Sequence, residues 1–150
     1  INTKIFINEV KDGEKQNAGS IQLTVFDIFS DKTKQFGFKA VFPSGKVLAC
    51  LGDEPFNEKC RNFVQNCDYL MCEAFCLYSQ KDIFKPYEKF HSTALDAGKL
   101  AESLFAKNLI LYHTEDETLQ TRKRTYTSEA RTVFNGNIFV PDDFEVIDLK

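Results

Sequence analysis

"HSTALDAGKLAESLFAKNLILYH", residues 91–113, reads as a helix running into a buried strand, and its two end residues are the only histidines in the chain. Ser92 or Thr93 can cap the helix, because a hydroxyl at the N-terminus accepts from an otherwise unpaired backbone N–H. Leu95, Leu100, Ala101 and Leu104 recur at helical spacing and give it an apolar side. "NLILYH" (108–113) is a continuous apolar run of the kind found in strands buried on both faces. Upstream, "CDYLMCEAF" (67–75) has the same character. Strand–helix–strand is therefore predicted here, the repeating unit of an α/β fold. The imidazoles then pose a chemical question. Either His91 is a capping residue and His113 a surface one, or His91 transfers protons and His113 holds a metal.

Toward the N-terminus the period changes. "TKIFINEV" (3–10) alternates apolar and polar and is predicted as a strand, which the polar "KDGEKQNAGS" (11–20), with two glycines, breaks. "IQLTVFDIF" (21–29), "KQFGFKAVF" (34–42) and "KVLACLG" (46–52) are three further strands, the last two joined by a tight turn at "PSG" (43–45). "EPFNEKCRNFVQNC" (54–67) reads as a helix with Phe56, Cys60, Phe63, Val64 and Cys67 on one face. Toward the C-terminus a last helix is expected over 116–134, followed by a hairpin or strand in "GNIFVPDDFEVIDL" (136–149). The expected fold class is α/β: a β-meander followed by strand–helix–strand–helix, with no internal repeat.

The totals limit what the chain can do. Its 150 residues have the length of one domain, 43% hydrophobic and 27% charged. Fifteen phenylalanines and no tryptophan supply a bulky core. A formal net charge of −3 gives no global field for nucleic acid or an anionic membrane, so nucleic acid is a partner that charge does not support. The basic "TRKR" (121–124) reads as a solvated loop. Five cysteines, an odd count without a secretory leader or a bilayer-length apolar run, suit free thiols and a cytoplasmic location. The Cys67, Cys72 and Cys76 spacing is no C-x-x-C pair, so buried small apolar residues are preferred to a zinc knuckle. An apolar strand also raises a thiol pKa, which argues against a thiol enzyme using Cys72 or Cys76.

Binding groups of open α/β folds collect where strands end. Asp53 follows a glycine at the end of "VLACLG", Glu73 lies within or just past "YLMC", and His113 closes "LILY". Alone, each has an ordinary explanation as a turn cap or a hydrogen-bonded surface residue. Together, carboxylate and imidazole at the ends of separate strands fit a divalent-metal site.

At this point the chain resembles the metallo-β-lactamase fold superfamily, its C-terminal half, in the RNase Z-like branch with its bacterial metallohydrolases. The resemblance spans about 21–149. "FGFKAVFPSGKVLACLGDEP" is similar to the family's strand pair ending in Gly-Asp-Thr. "CDYLMCEAF" is similar to the segment ending in His-Glu-Ala-Thr, with Cys72 and Phe75 in place of its first and last members. "HSTALDAGKLAESLFAKNLILYH" resembles the His-Ser-Thr helix and the strand that ends in a metal-binding histidine. The resemblance implies half of a four-layer αβ/βα sandwich and a hydrolase that cleaves an ester or phosphodiester bond with a metal-activated hydroxide. It implies zinc, in one or two ions, with manganese or iron also suited to O/N ligands. Asp53 would bridge two ions, His113 would ligate one, His91 would assist the leaving oxygen, and Glu73 would orient His91.

Two departures qualify that implication. The family's His-x-His-x-Asp-His loop belongs upstream of Ile21 and is absent. A further metal-binding histidine counts back to Asp31, in "FSDKTK", where a polar loop is the preferred reading. The chain is therefore expected to be the C-terminal portion of one larger domain. The rest would come from a second chain, a cleaved N-terminal piece or a partner subunit, and homo-oligomers are expected. A sheet face bearing Phe26, Phe36, Phe38 and Val41 should then lie uncovered. The competing expectation is a metal-free, non-catalytic half-fold that acts as an interaction or dimerisation domain.

Overall fold

Turn residues organise the first half of the chain. In the computed structural model, which describes residues 6–149, four strands follow one another as β1 (Lys15–Ala18), β2 (Ile21–Asp27), β3 (Phe36–Val41) and β4 (Val47–Cys50). Gly19, at φ +62°, and Ser20 form the two-residue reversal between β1 and β2, whose register pairs Ala18 with Ile21. The β3–β4 turn closes through hydrogen bonds of 2.8 Å from Gly45 N to the Phe42 carbonyl and 2.9 Å from Phe42 N to the Lys46 carbonyl. All three of these pairings are antiparallel.

From β4 onward the pairing is parallel, and each return runs through helix. A 3-10 turn (Glu58–Cys60) and α1 (Arg61–Val64) lead to β5 (Tyr69–Glu73). Then α2 (Lys81–Phe84) and α3 (Ala94–Ser103) lead to β6 (Asn108–Tyr112). Finally α4 (Leu119–Arg131) leads to β7 (Asn137–Phe139). Among the described residues the result is a seven-stranded mixed sheet in which strand order equals chain order. No helix among the described residues is long and apolar enough to cross a membrane.

The sheet's two faces differ. On one, Phe26, Ala49, Leu70, Leu109 and Leu111 pack with Val64 of α1, Ala97 and Ala101 of α3, and Tyr126 and Ala130 of α4. On the other, Ala40, Leu48, Tyr69 and Ile110 meet Leu23, Phe38, Met71 and Phe139, and no helix joins them; Ile147 and Leu149 of the C-terminal segment do. Parallel strands ordinarily have both faces covered, so this is one sheet with one helical layer.

Several expectations are corrected. Residues 6–10 have no regular structure, and the rest of the strand expected over 3–10 lies outside the described residues. The polar 11–20 stretch holds β1, an edge strand that needs no apolar alternation because neither face is buried. The helix expected over 54–67 contracts to the 3-10 turn and one turn of α1, ended by Asn66 at φ +58°. In α3 the buried face is Ala94, Ala97, Gly98 and Ala101, while Leu95 and Leu100 are only half-buried. Small residues face inward because α4 comes so close that a Cβ on Gly98 would lie 2.9 Å from the Ala130 carbonyl oxygen. The last helix is shorter than 116–134, and the C-terminal stretch makes one three-residue strand. Phe26 does not belong to an uncovered face; it is fully buried on the helical side, its ring stacked 4.9 Å from that of Phe63.

Candidate active site

The parallel register of β4, β5 and β6 brings their C-terminal ends to one edge of the sheet. Gly52, at φ +78°, turns the chain out of β4 and delivers Asp53. The Tyr112 hydroxyl donates to the Gly52 carbonyl and pins that turn to β6. Glu73 is the last residue of β5. His113 is the first residue beyond β6, in left-handed backbone at φ +54°, rather than its last. His91 arrives from the connection that precedes α3. There Thr93 caps the helix and completes a capping box with Asp96, which fixes the chain just after the imidazole.

Three of these side chains meet. Glu73 is 0% exposed, and its Oε1 accepts from Ser92 N at 2.5 Å. Its Oε2 lies 3.5 Å from His91 Nδ1, and both atoms are buried without a hydrogen-bond partner among the described residues. The His91 and His113 rings stand 4.9 Å apart, tilted by 42°. Phe75 stacks on His91 at 5.0 Å and 23°. Burial chiefly, with a smaller upward push from the charge of Asp53, raises Glu73 to about 7 against the lowering effect of its Ser92 hydrogen bonds. Burial, then the charges of Lys32 and His113, holds His91 below its ordinary value, while Asp53 opposes them through its charge and a backbone hydrogen bond. Burial thus disfavours the charged form of both groups. Asp31 is exposed on the loop after β2, which Ser30 and Gln35 tie to Glu54.

Known proteins carry the same architecture. The crystal structure of the metallo-β-lactamase fold protein YhfI from Bacillus subtilis matches 88% of this chain and 51% of its own, with a TM-score of 0.73 at 19% identity. Human tRNase Z, short form, matches 90% of this chain and 46% of its own, with a TM-score of 0.66 at 23% identity. In sequence, ribonuclease Z of Bacillus cereus (strain AH187) is 32% identical over 98 residues, 65% of this chain and 31% of that protein. The chain has the metallo-β-lactamase fold, and in sequence it is similar to ribonuclease Z. It matches about half the length of these solved structures and about a third of the curated relative. No family model matches the chain.

Metallo-β-lactamase folds imply a metal, and a Zn(2+)-bound PqqB from Methylobacterium extorquens shares this fold with a TM-score of 0.67. The residues described here do not fit one by themselves: no group of three or more His, Cys, Asp or Glu stands where it could hold an ion. Asp31 therefore does not complete a three-donor set with Asp53 and His113. The cysteines add nothing, because all five are free and burial raises Cys72 well above its usual range and Cys76 to about 12. Sequence reasoning missed two supports of the site. Phe75 walls His91, and the one signal for it was its place where the resemblance expects threonine. Tyr112 fixes the Asp53 turn from 60 residues away, a pairing that only the fold reveals.

Proposed function

We propose that the chain is one portion, the C-terminal one, of a metallo-β-lactamase-fold hydrolase that cleaves an ester or phosphodiester bond. The observation that carries this reading is the gathering of Glu73, His91 and His113, from three separate strand ends and loops, at 3.5 Å and 4.9 Å from one another. His91 is the group that hands a proton to the leaving oxygen, and Glu73 orients its ring and balances its charge once it is protonated. Asp53 and His113 are the metal donors this chain offers; the rest would come with the remainder of the fold, from the same polypeptide or from a partner. The relatives named ribonuclease Z favour a phosphodiester over other esters. The reading is tested by bis(p-nitrophenyl) phosphate turnover and elemental analysis of the purified protein together with its complementing portion. His91→Ala should cut turnover by about a hundredfold and Glu73→Gln by about tenfold. Asp53→Ala and His113→Ala should lose bound metal. Turnover indifferent to all four would end the proposal. The second reading, a non-catalytic interaction domain, is favoured by the lack of a three-donor cluster among the described residues. It requires no hydrolysis and no bound metal even in the complemented protein.

A further inference from the structure

The wall of the site carries a cation that the proposed chemistry leaves unused. The backbone reverses at Phe90, in left-handed conformation at φ +59°, directly after a 3-10 turn (Tyr87–Lys89). Both Lys89 N and His91 N donate to the Pro86 carbonyl, at 3.0 and 2.9 Å. This reversal sets Lys89 and His91 against the same ring: the ammonium lies over Phe75 at 5.0 Å from the centroid, and the imidazole stacks on it at 5.0 Å. The other nearby cation, Lys32, is engaged with Glu54 at 3.9 Å. Lys85 is engaged with Glu88 at 3.9 Å. Lys89 is exposed and, among the described residues, forms no ion pair, so its charge is held only by an aromatic face. Such a contact is weak at the surface, which leaves an ammonium on the ring that also stacks against His91, at little cost to withdraw.

From this placement we infer that Lys89, shelved on the Phe75 ring that His91 also stacks on, is a substrate-positioning residue that grips a non-bridging oxygen of an anionic substrate. The inference rests on the site proposed above. It assigns Phe75 a purpose too: a threonine there would give neither the shelf for the ammonium nor the stacking surface for His91. A point charge of this kind recognises an anion without demanding fixed geometry, so arginine in its place should serve nearly as well.

The test is a titration of the full chain with bis(p-nitrophenyl) phosphate at low salt, followed by NMR, with p-nitrophenyl acetate as the uncharged probe. Lys89→Ala should weaken binding of the diester roughly tenfold and leave the acetate unaffected, and Lys89→Arg should restore most of the loss. Lys59→Ala, which removes a lysine resting on Phe29 at 4.5 Å, is the control and should change nothing. An unchanged affinity in Lys89→Ala, an equal loss for both probes, or no diester binding by the parent chain would each overturn the inference. Diester binding that depends on Lys89 without any turnover in the complemented protein would uphold it while removing the hydrolase reading. Turnover with a KM indifferent to Lys89→Ala would do the reverse.

Discussion

A glutamate sealed from water holds its proton longer than one in an unfolded chain, and Glu73 is such a residue. Folded, it releases the proton near pH 7; unfolded, it does so near its ordinary value of 4.5. Between those values the native chain binds more protons, so stability falls as pH rises across the window, by at most roughly 3 kcal/mol. Denaturant unfolding of the metal-free chain at pH 4.5 and 7.5 should show this loss, and Glu73→Gln should abolish it. Asp68 behaves in the opposite sense. Its carboxylate accepts from Val47 N and from Lys107 Nζ, both at 2.8 Å, and the Lys107 hydrogen bond chiefly holds its pKa down. Its contribution is present above the ordinary carboxylate range and disappears as pH falls through the lowered value. Asp68→Asn should cost about 1–2 kcal/mol at pH 7 and little at pH 2, read by the same unfolding measurement. At this scale the sequence was informative about position, since Asp53, Glu73 and His113 do stand at or just past the ends of β4, β5 and β6. It was silent on Asp68 and Tyr112, whose partners are set by strand register rather than by local pattern.

Elements built on pairing with chain neighbours were the easiest to read, and those whose faces depend on distant helices were the hardest. The strands β2 to β6 and the cap at Thr93 follow from alternation, apolar runs and a hydroxyl in the right place. The inward face of α3 follows only in part: Ala101 and Leu104 are buried as their spacing predicts, but the approach of α4 turns Ala94, Ala97 and Gly98 inward while Leu95 and Leu100 stay half-buried. That approach makes Gly98→Ala informative. In a free helix the change would gain up to about 1 kcal/mol. Here the added methyl meets the Ala130 carbonyl and Val133 Cγ2, each at 2.9 Å. A net loss of about 1–2 kcal/mol, seen as a lower Tm, is expected. Glu129 offers a second check, since its carboxylate accepts from Tyr78 N at 2.8 Å, Ser79 N at 3.4 Å and Leu95 N at 3.1 Å, tying the segment after β5 to the start of α3. Glu129→Ala should speed proteolysis at residues 77–80 before it unfolds the sheet.

Across the whole molecule the unequal sheet faces dominate. The face without helices is partly sheltered by Ile147 and Leu149, while Phe144 and Val146 of the same segment remain exposed. Removing residues 141–150 should therefore increase binding of an apolar dye and lower stability by about 1–3 kcal/mol. Dye binding unchanged by truncation would show that the segment shelters nothing. The architecture itself was readable as a meander giving way to helical crossovers, but the division of Phe26 from Phe36 and Phe38 between faces required the register. One last property follows from the strand order, which repeats the order of synthesis. Each new strand is laid beside the one made just before it, so no gap must be held open for a later arrival. The sheet can thus assemble vectorially on the ribosome, from the β1 border toward β7.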